Sequence, residues 1–105
     1  MPQFQLRMYT LKTPEAAAEY EKVWTPHIDS LAKHDIKVRF CSRSLSNPTQ
    51  VIALVSYPDG RDIEEMTKKY MSSKEFLSDV EGFDLADMVG VDAPVLQALP
   101  CSPLQ

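Results

Sequence analysis

Residues 17–31 carry the clearest periodicity in the chain. Ala17, Tyr20, Trp24, His27, Ile28 and Leu31 recur at alternating three- and four-residue spacing, one face of a helix turned to a core. Thr13-Pro14-Glu15 marks its start: a Thr N-cap, a proline where no N–H is needed, and an acid at the positive end. The pattern runs to about Lys33, with His34 beyond it as a cation suited to the helix C-terminus. Pro26 interrupts it by removing a donor to the Lys22 carbonyl. Because the apolar register survives the interruption, a kinked helix is expected rather than two helices.

Before this helix, residues 4–10 alternate. Phe4, Leu6 and Met8 form an apolar face and Gln5, Arg7 and Tyr9 the other, which reads as a half-buried strand. Residues 36–44 alternate too, with Ile36, Val38 and Phe40 opposite Lys37, Arg39, Cys41 and Arg43. After a turn at Ser46-Asn47-Pro48-Thr49, residues 51–57 are apolar on both faces, as in a central strand, with Tyr57 of open facing. Asp62 with Glu65, and then Ser73, start two short helices carrying Ile63, Met66 and Tyr70, and Phe76, Leu77 and Val80. Residues 82–87 read as an acidic loop, residues 93–99 as the last strand and 100–105 as a tail.

Strand, helix, strand, strand, helix, strand is the α+β, ferredoxin-like βαββαβ order, a four-stranded antiparallel sheet with helices on one face. The apolar strand faces are expected under the helices. The other sheet face is then uncovered although the third strand is apolar there as well, which predicts a homodimer packing sheet on sheet. Arg7, Tyr9, Arg39 and Arg43 fall on that side and are expected first at the dimer interface, second as binders of a substrate anion.

At 105 residues one domain is expected over 1–105. The net charge of -4 argues against nucleic acid. No stretch is long and apolar enough for a membrane span, and no signal peptide is evident, so no membrane partner and a cytoplasmic location are expected. Cys41 and Cys101 do not make a disulfide framework. Three glycines leave little room for a phosphate loop. The histidines are seven apart with Pro26 between the stripe halves, and Glu81, Asp84, Asp87 and Asp92 fit no calcium-loop spacing, so no metal is expected.

Phe4-Gln5-Leu6-Arg7-Met8-Tyr9-Thr10-Leu11 resembles the Arg-x-Tyr-x-Leu opening strand of NIPSNAP-like proteins, a branch of the dimeric α/β-barrel superfamily. The long helix, the apolar strand ending in Tyr57 and the Ser73-Lys74-Glu75-Phe76 segment extend the resemblance over residues 4–99. Val38-Arg39-Phe40 departs from a usual Gly/Trp pattern, and Phe76 stands where Trp is common. The resemblance implies a dimeric barrel with a cavity between sheet and helices. The superfamily holds cofactor-free cyclases and isomerases of polyketide-like compounds, quinone-forming monooxygenases and haem-binding enzymes.

Phe4, Leu6, Met8, Trp24, Val38, Phe40, Met66 and Phe76 are placed around this cavity as substrate-binding residues, with Tyr20, His27 and Tyr70 as the catalytic set. The lining suits a flat, hydrophobic small molecule held by a few hydrogen bonds. His27 is the acid/base candidate, and either phenol could polarise a carbonyl. The alternative for His27 is a core histidine bonded to a backbone carbonyl, and Trp24 and the methionines read as core before they read as a ligand box. The function expected is a cofactor-independent cyclase, isomerase or lyase acting by acid/base chemistry on a hydrophobic, carbonyl-bearing, polyketide-like metabolite. The rivals are a cofactorless monooxygenase of an aromatic substrate and a non-catalytic dimeric binding protein; a haem-binding version would use His27 as axial ligand.

Overall fold

A computed structural model describes residues 2–105. The elements run β1 (Gln3–Leu11), α1 (Pro14–Ala32), β2 (Lys37–Arg43), β3 (Gln50–Tyr57), α2 (Ile63–Met71), α3 (Lys74–Asp79), β4 (Met88–Asp92) and β5 (Val95–Leu96), with a 3-10 turn at Leu85–Asp87. The sheet order is β2-β3-β1-β4, with β5 also on β1, and every pairing is antiparallel. This is the ferredoxin-like arrangement, with the last strand broken in two at Ala93-Pro94. The Leu6 N–H reaches the Pro94 carbonyl at 3.0 Å and keeps the broken strand on the β1 edge.

The helix starts follow their caps. Thr13, Asp62 and Ser73 each accept a hydrogen bond from the backbone N–H three residues on. The α1 helix is continuous through Pro26. Lys22 and Pro26 lie on its exposed side, where water can serve the carbonyl that proline leaves unpaired, while Trp24 and His27 are buried on the other. Ile28 is exposed, against the expected stripe; Ser30 takes the inward position instead. The chain leaves α1 through Asp35 at φ 63°, a left-handed conformation that a short polar side chain tolerates.

The face of β1 that meets the helices reverses the expectation. Tyr9 packs on Tyr20 and Trp24 of α1 with ring centroids at 5.1 and 6.0 Å. The face of Gln5, Arg7, Tyr9 and Leu11 is therefore the covered one, and Arg7 and Tyr9 are not on the outer face. Leu11 is fully buried and continues this set, so the covered face is apolar at its far end. Opposite it in β3, Val51, Ala53, Val55 and Tyr57 are buried, which settles Tyr57 on the helix side. Phe4, Leu6 and Met8 point the other way, paired with Ser56, Leu54 and Ile52.

A register shift in β2 explains a second reversal. Val38 pairs with Val55 and Phe40 with Leu54, neighbouring residues of β3, so Arg39 is the extra residue of a bulge. Val38 thus faces the helices, while Phe40 turns to the open face and is 63% exposed. That open face carries Leu6, Met8, Phe40, Ile52 and Leu54. Arg39 stays on it, donating to the Ser56 hydroxyl at 3.0 Å with its guanidinium over the Phe4 ring. No helix formed by the described residues is long and apolar enough to cross a membrane.

Candidate functional site

A cavity of about 260 Å³ lies between the sheet and the helices. Its wall takes Gln5, Arg7 and Tyr9 from β1, Tyr20 and His27 from α1, Tyr70 from α2 and Phe76 from α3, and the exposed Met71, Leu85 and Val91 form its rim. Of the residues expected around a cavity, His27, Tyr20, Tyr70 and Phe76 are brought together here. Phe4, Leu6, Met8 and Phe40 are excluded because they point to the opposite sheet face. Trp24, Met66 and Val38 pack in the core without lining the cavity. A wider surface groove along α2 shares Gln5, Thr67 and Met71 with the cavity.

His27 is 3% exposed, and its Nδ1 lies 3.1 Å from Asp79 Oδ2 and 2.8 Å from the Tyr70 hydroxyl. The Tyr70 hydroxyl donates to the same Oδ2 at 3.1 Å, and the Ser30 hydroxyl donates to Oδ1 at 3.1 Å. One proton assignment satisfies every contact. Nδ1–H donates, shared between Oδ2 and the phenol oxygen, and Asp79 is an acceptor-only carboxylate. The imidazole lone pair is then on Nε2, which has no protein partner among the described residues. Burial pulls the imidazolium pKa below the ordinary 6.5, Asp79 opposes this, and the Arg7 charge adds to the fall. A neutral ring, fixed in one tautomer by a carboxylate, is the form a general base needs. The bonds of His27 run to side chains, not to a backbone carbonyl.

Asp79 is the site residue that the sequence pattern did not disclose. The buried side of the Ser73-capped helix and its continuation is Phe76, Asp79, Val80 and Phe83, whereas Leu77 is 60% exposed. That set has the three-and-four spacing of a core stripe with an acid in one place. An aspartate on an apolar stripe was the available signal. The same holds for Ser30, one turn beyond His27.

Tyr70 and Tyr20 divide between two tasks. The Tyr70 hydroxyl is committed to the His27–Asp79 pair, so it holds the imidazole rather than facing a ligand. Tyr20 stacks between Tyr9 and Phe83 in the cavity wall. Burial first, and then its acidic or phenolic neighbours, push both phenols well above their ordinary 10.0, so both stay protonated. His34 does not cap α1 but lies 3.6 Å from Glu75 of α3.

Across the cavity, Arg7 is 6% exposed. Its Nε donates to Gln5 Oε1 at 3.0 Å, Nη1 to the Tyr9 hydroxyl at 3.4 Å and Nη2 to the Tyr57 hydroxyl at 2.6 Å. Tyr57 donates on to Gln5 Oε1 at 3.0 Å and meets the Thr67 hydroxyl at 3.1 Å. Burial works against the Arg7 charge, the phenols of Tyr9 and Tyr57 work for it, and the balance holds the guanidinium above its ordinary value.

No protein-family model and no curated protein sequence matches the chain. Solved structures do. A NIPSNAP family protein from Agrobacterium tumefaciens is similar over 100% of both chains, with a TM-score of 0.79 at 16% identity. An uncharacterized NIPSNAP-like domain protein from Burkholderia xenovorans is similar over 97% of this chain and 89% of its own, with a TM-score of 0.78 at 19% identity. A provisionally assigned antibiotic biosynthesis monooxygenase from Nitrosomonas europaea aligns over 96% of this chain and 93% of its own, with a TM-score of 0.65 at 13% identity. The NIPSNAP resemblance carried by the sequence and the structural neighbours agree, and at these identities the agreement concerns the fold.

Proposed function

We propose that the chain is a small-molecule enzyme that moves a proton at a carbon next to a carbonyl, with His27 Nε2 as the base. The observation that carries this reading is the Asp79–His27 pair at the cavity wall, which leaves a neutral imidazole with one free lone pair. In the step, Nε2 takes the α-proton, the C–H electron pair becomes the enolate, and the proton returns from the imidazolium to carbon or oxygen. In this reading the Tyr20 hydroxyl, which burial keeps protonated in the cavity wall, donates to the enolate oxygen. Asp79, Tyr70 and Ser30 are positioning residues. Cyclisation, isomerisation and elimination all begin with this step. The cavity lies just below the usual range of roughly 300–1,000 Å³, which suits a single-ring compound.

The monooxygenase name of a structural neighbour supports a second outcome of the same step, in which the carbanion of an aromatic substrate reacts with dioxygen. Exchange of α-protons for deuterium in acetophenone and phenylpyruvate, followed by NMR, tests the shared chemistry, and an oxygen electrode separates the two outcomes. The protein is expected to accelerate exchange over buffer. His27→Gln is expected to lose roughly 100-fold or more of the acceleration. Asp79→Asn is expected to lose most of it and to shift the pH profile, which a merely structural role for Asp79 would not do. Full exchange in His27→Gln, or no acceleration of either ketone, overturns the reading.

The open sheet face supports a partner reading. Leu6, Met8, Phe40, Ile52 and Leu54 form an apolar surface with no helix over it, and the proposal is that a second copy of the chain covers it.

A further inference from the structure

We propose that the ligand of this cavity is an anion, a small aromatic carboxylate whose carboxyl group is received by Arg7. The proposal rests on the cavity being a ligand site, as in the function proposed above, and adds the charge of what enters it.

The charge of Arg7 is unbalanced. Arg7 is nine-tenths buried, and among the described residues it forms no ion pair with a carboxylate. Its partners Gln5, Tyr9 and Tyr57 are all neutral. A buried charge without a counter-ion is costly, whereas a buried pair recovers much of that cost. The one buried carboxylate near the cavity, Asp79, is already engaged by His27, Tyr70 and Ser30, and it stands behind His27 rather than in the lining.

The Arg7 guanidinium also keeps unused donors. A guanidinium carries five N–H donors. Nε, Nη1 and Nη2 each spend one on the protein, which leaves one on each of the two Nη atoms. Two donors on one planar group match the two oxygens of a carboxylate. The Tyr57 hydroxyl, held by Gln5 and Thr67, and the Gln5 amide fix the guanidinium plane in advance.

The cavity lining offers Arg7 no counter-charge. Arg7 is its only permanently charged residue, and no aspartate, glutamate or lysine is among the described lining residues. Apart from the uncharged polar groups of Gln5 and Thr67 and the His27 ring, the lining is aromatic and aliphatic, with Tyr9, Tyr20, Phe76, Val80 and Met88 among it. One cation in an apolar wall selects a ligand with one anionic group on an apolar body. It also bears on the chemistry, because the Arg7 charge lowers the imidazolium pKa of His27 until a ligand carboxylate balances it.

Benzoate and benzamide have the same shape and differ in charge, so calorimetric titration of the full chain with each reads the proposal directly. Benzoate is expected to bind at least about ten-fold tighter than benzamide. In Arg7→Gln that preference is expected to fall to near one, and in Arg7→Lys, which keeps the charge but not the fork, to lie between. Equal affinities in the native protein overturn the proposal, as does benzoate binding that survives in folded Arg7→Gln, or no binding of benzoate at millimolar concentration. If Arg7→Gln does not fold, the native benzoate-to-benzamide ratio and Arg7→Lys still decide. His27→Gln separates the two readings: it should keep the benzoate preference while losing proton exchange. Preference without exchange in the native protein refutes the base and leaves the anion site standing.

Discussion

His27 illustrates how burial, charge and hydrogen bonding act on a single ring. Folding takes the imidazole out of water and lowers its pKa from the ordinary 6.5, despite the pull of Asp79. The unfolded chain therefore binds the His27 proton more readily than the folded one. Its contribution to stability is complete above about pH 6.5 and is lost as the pH falls towards the lower folded value. Urea unfolding midpoints are expected to drop between about pH 7.5 and pH 5.5, with one proton able to contribute at most about 1.4 kcal/mol per pH unit. The His27→Gln protein should show a shallower fall over the same window, and parallel curves would place the titration elsewhere. The sequence supplied His27, Tyr20, Tyr70 and Phe76 because each stands on a helical stripe. It hid Asp79 because an acid in a short helix reads as surface; its place on the Phe76, Val80 and Phe83 stripe marks it as inward-facing, but nothing local names its partner 52 residues earlier.

At the scale of elements, what was legible was what is local. Thr13, Asp62 and Ser73 announce their helices because a cap uses neighbours in sequence. Strand order followed from the order of elements. Facing was harder, because an alternating strand has two faces and the choice between them is made by the partner layer. For β1, Leu11 held the information: it extends the Gln5, Arg7, Tyr9 set into the core, and a strand ended at Thr10 loses it. For β2 the alternation itself breaks, since the bulge at Arg39 turns Val38 and Phe40 to opposite sides. The broken last strand is beyond local reading for a different reason. Its course is set by β1, which takes Met88–Asp92 and then Val95–Leu96 along a single edge.

For the whole molecule, the two sheet faces carry different duties. The helix side holds the cavity and every buried ionisable group named above. The open side is apolar at its centre, with Phe40 standing out from it. If a second copy packs there, sedimentation at about 10 μM should show a dimer. Phe40→Glu, which changes an exposed residue and so spares the monomer's core, should move the species to a monomer with an unchanged circular dichroism spectrum. A native monomer at about 100 μM would refute the sheet-on-sheet pairing. Because Phe40 and His27 lie on opposite sides of the sheet, the two substitutions address assembly and chemistry separately.

The edge-on contact between Trp24 and His27, with centroids at 4.7 Å, has a practical consequence. Trp24 is the only tryptophan in the chain, so its fluorescence reports one location. An imidazolium against an indole quenches emission and a neutral imidazole much less. The protein therefore carries an intrinsic optical probe of its own base: emission should dim on acidification with the midpoint of His27, and His27→Gln should flatten the curve. A ligand carboxylate at Arg7 would cancel the nearby positive charge and move that midpoint upward, visible in a cuvette without a label.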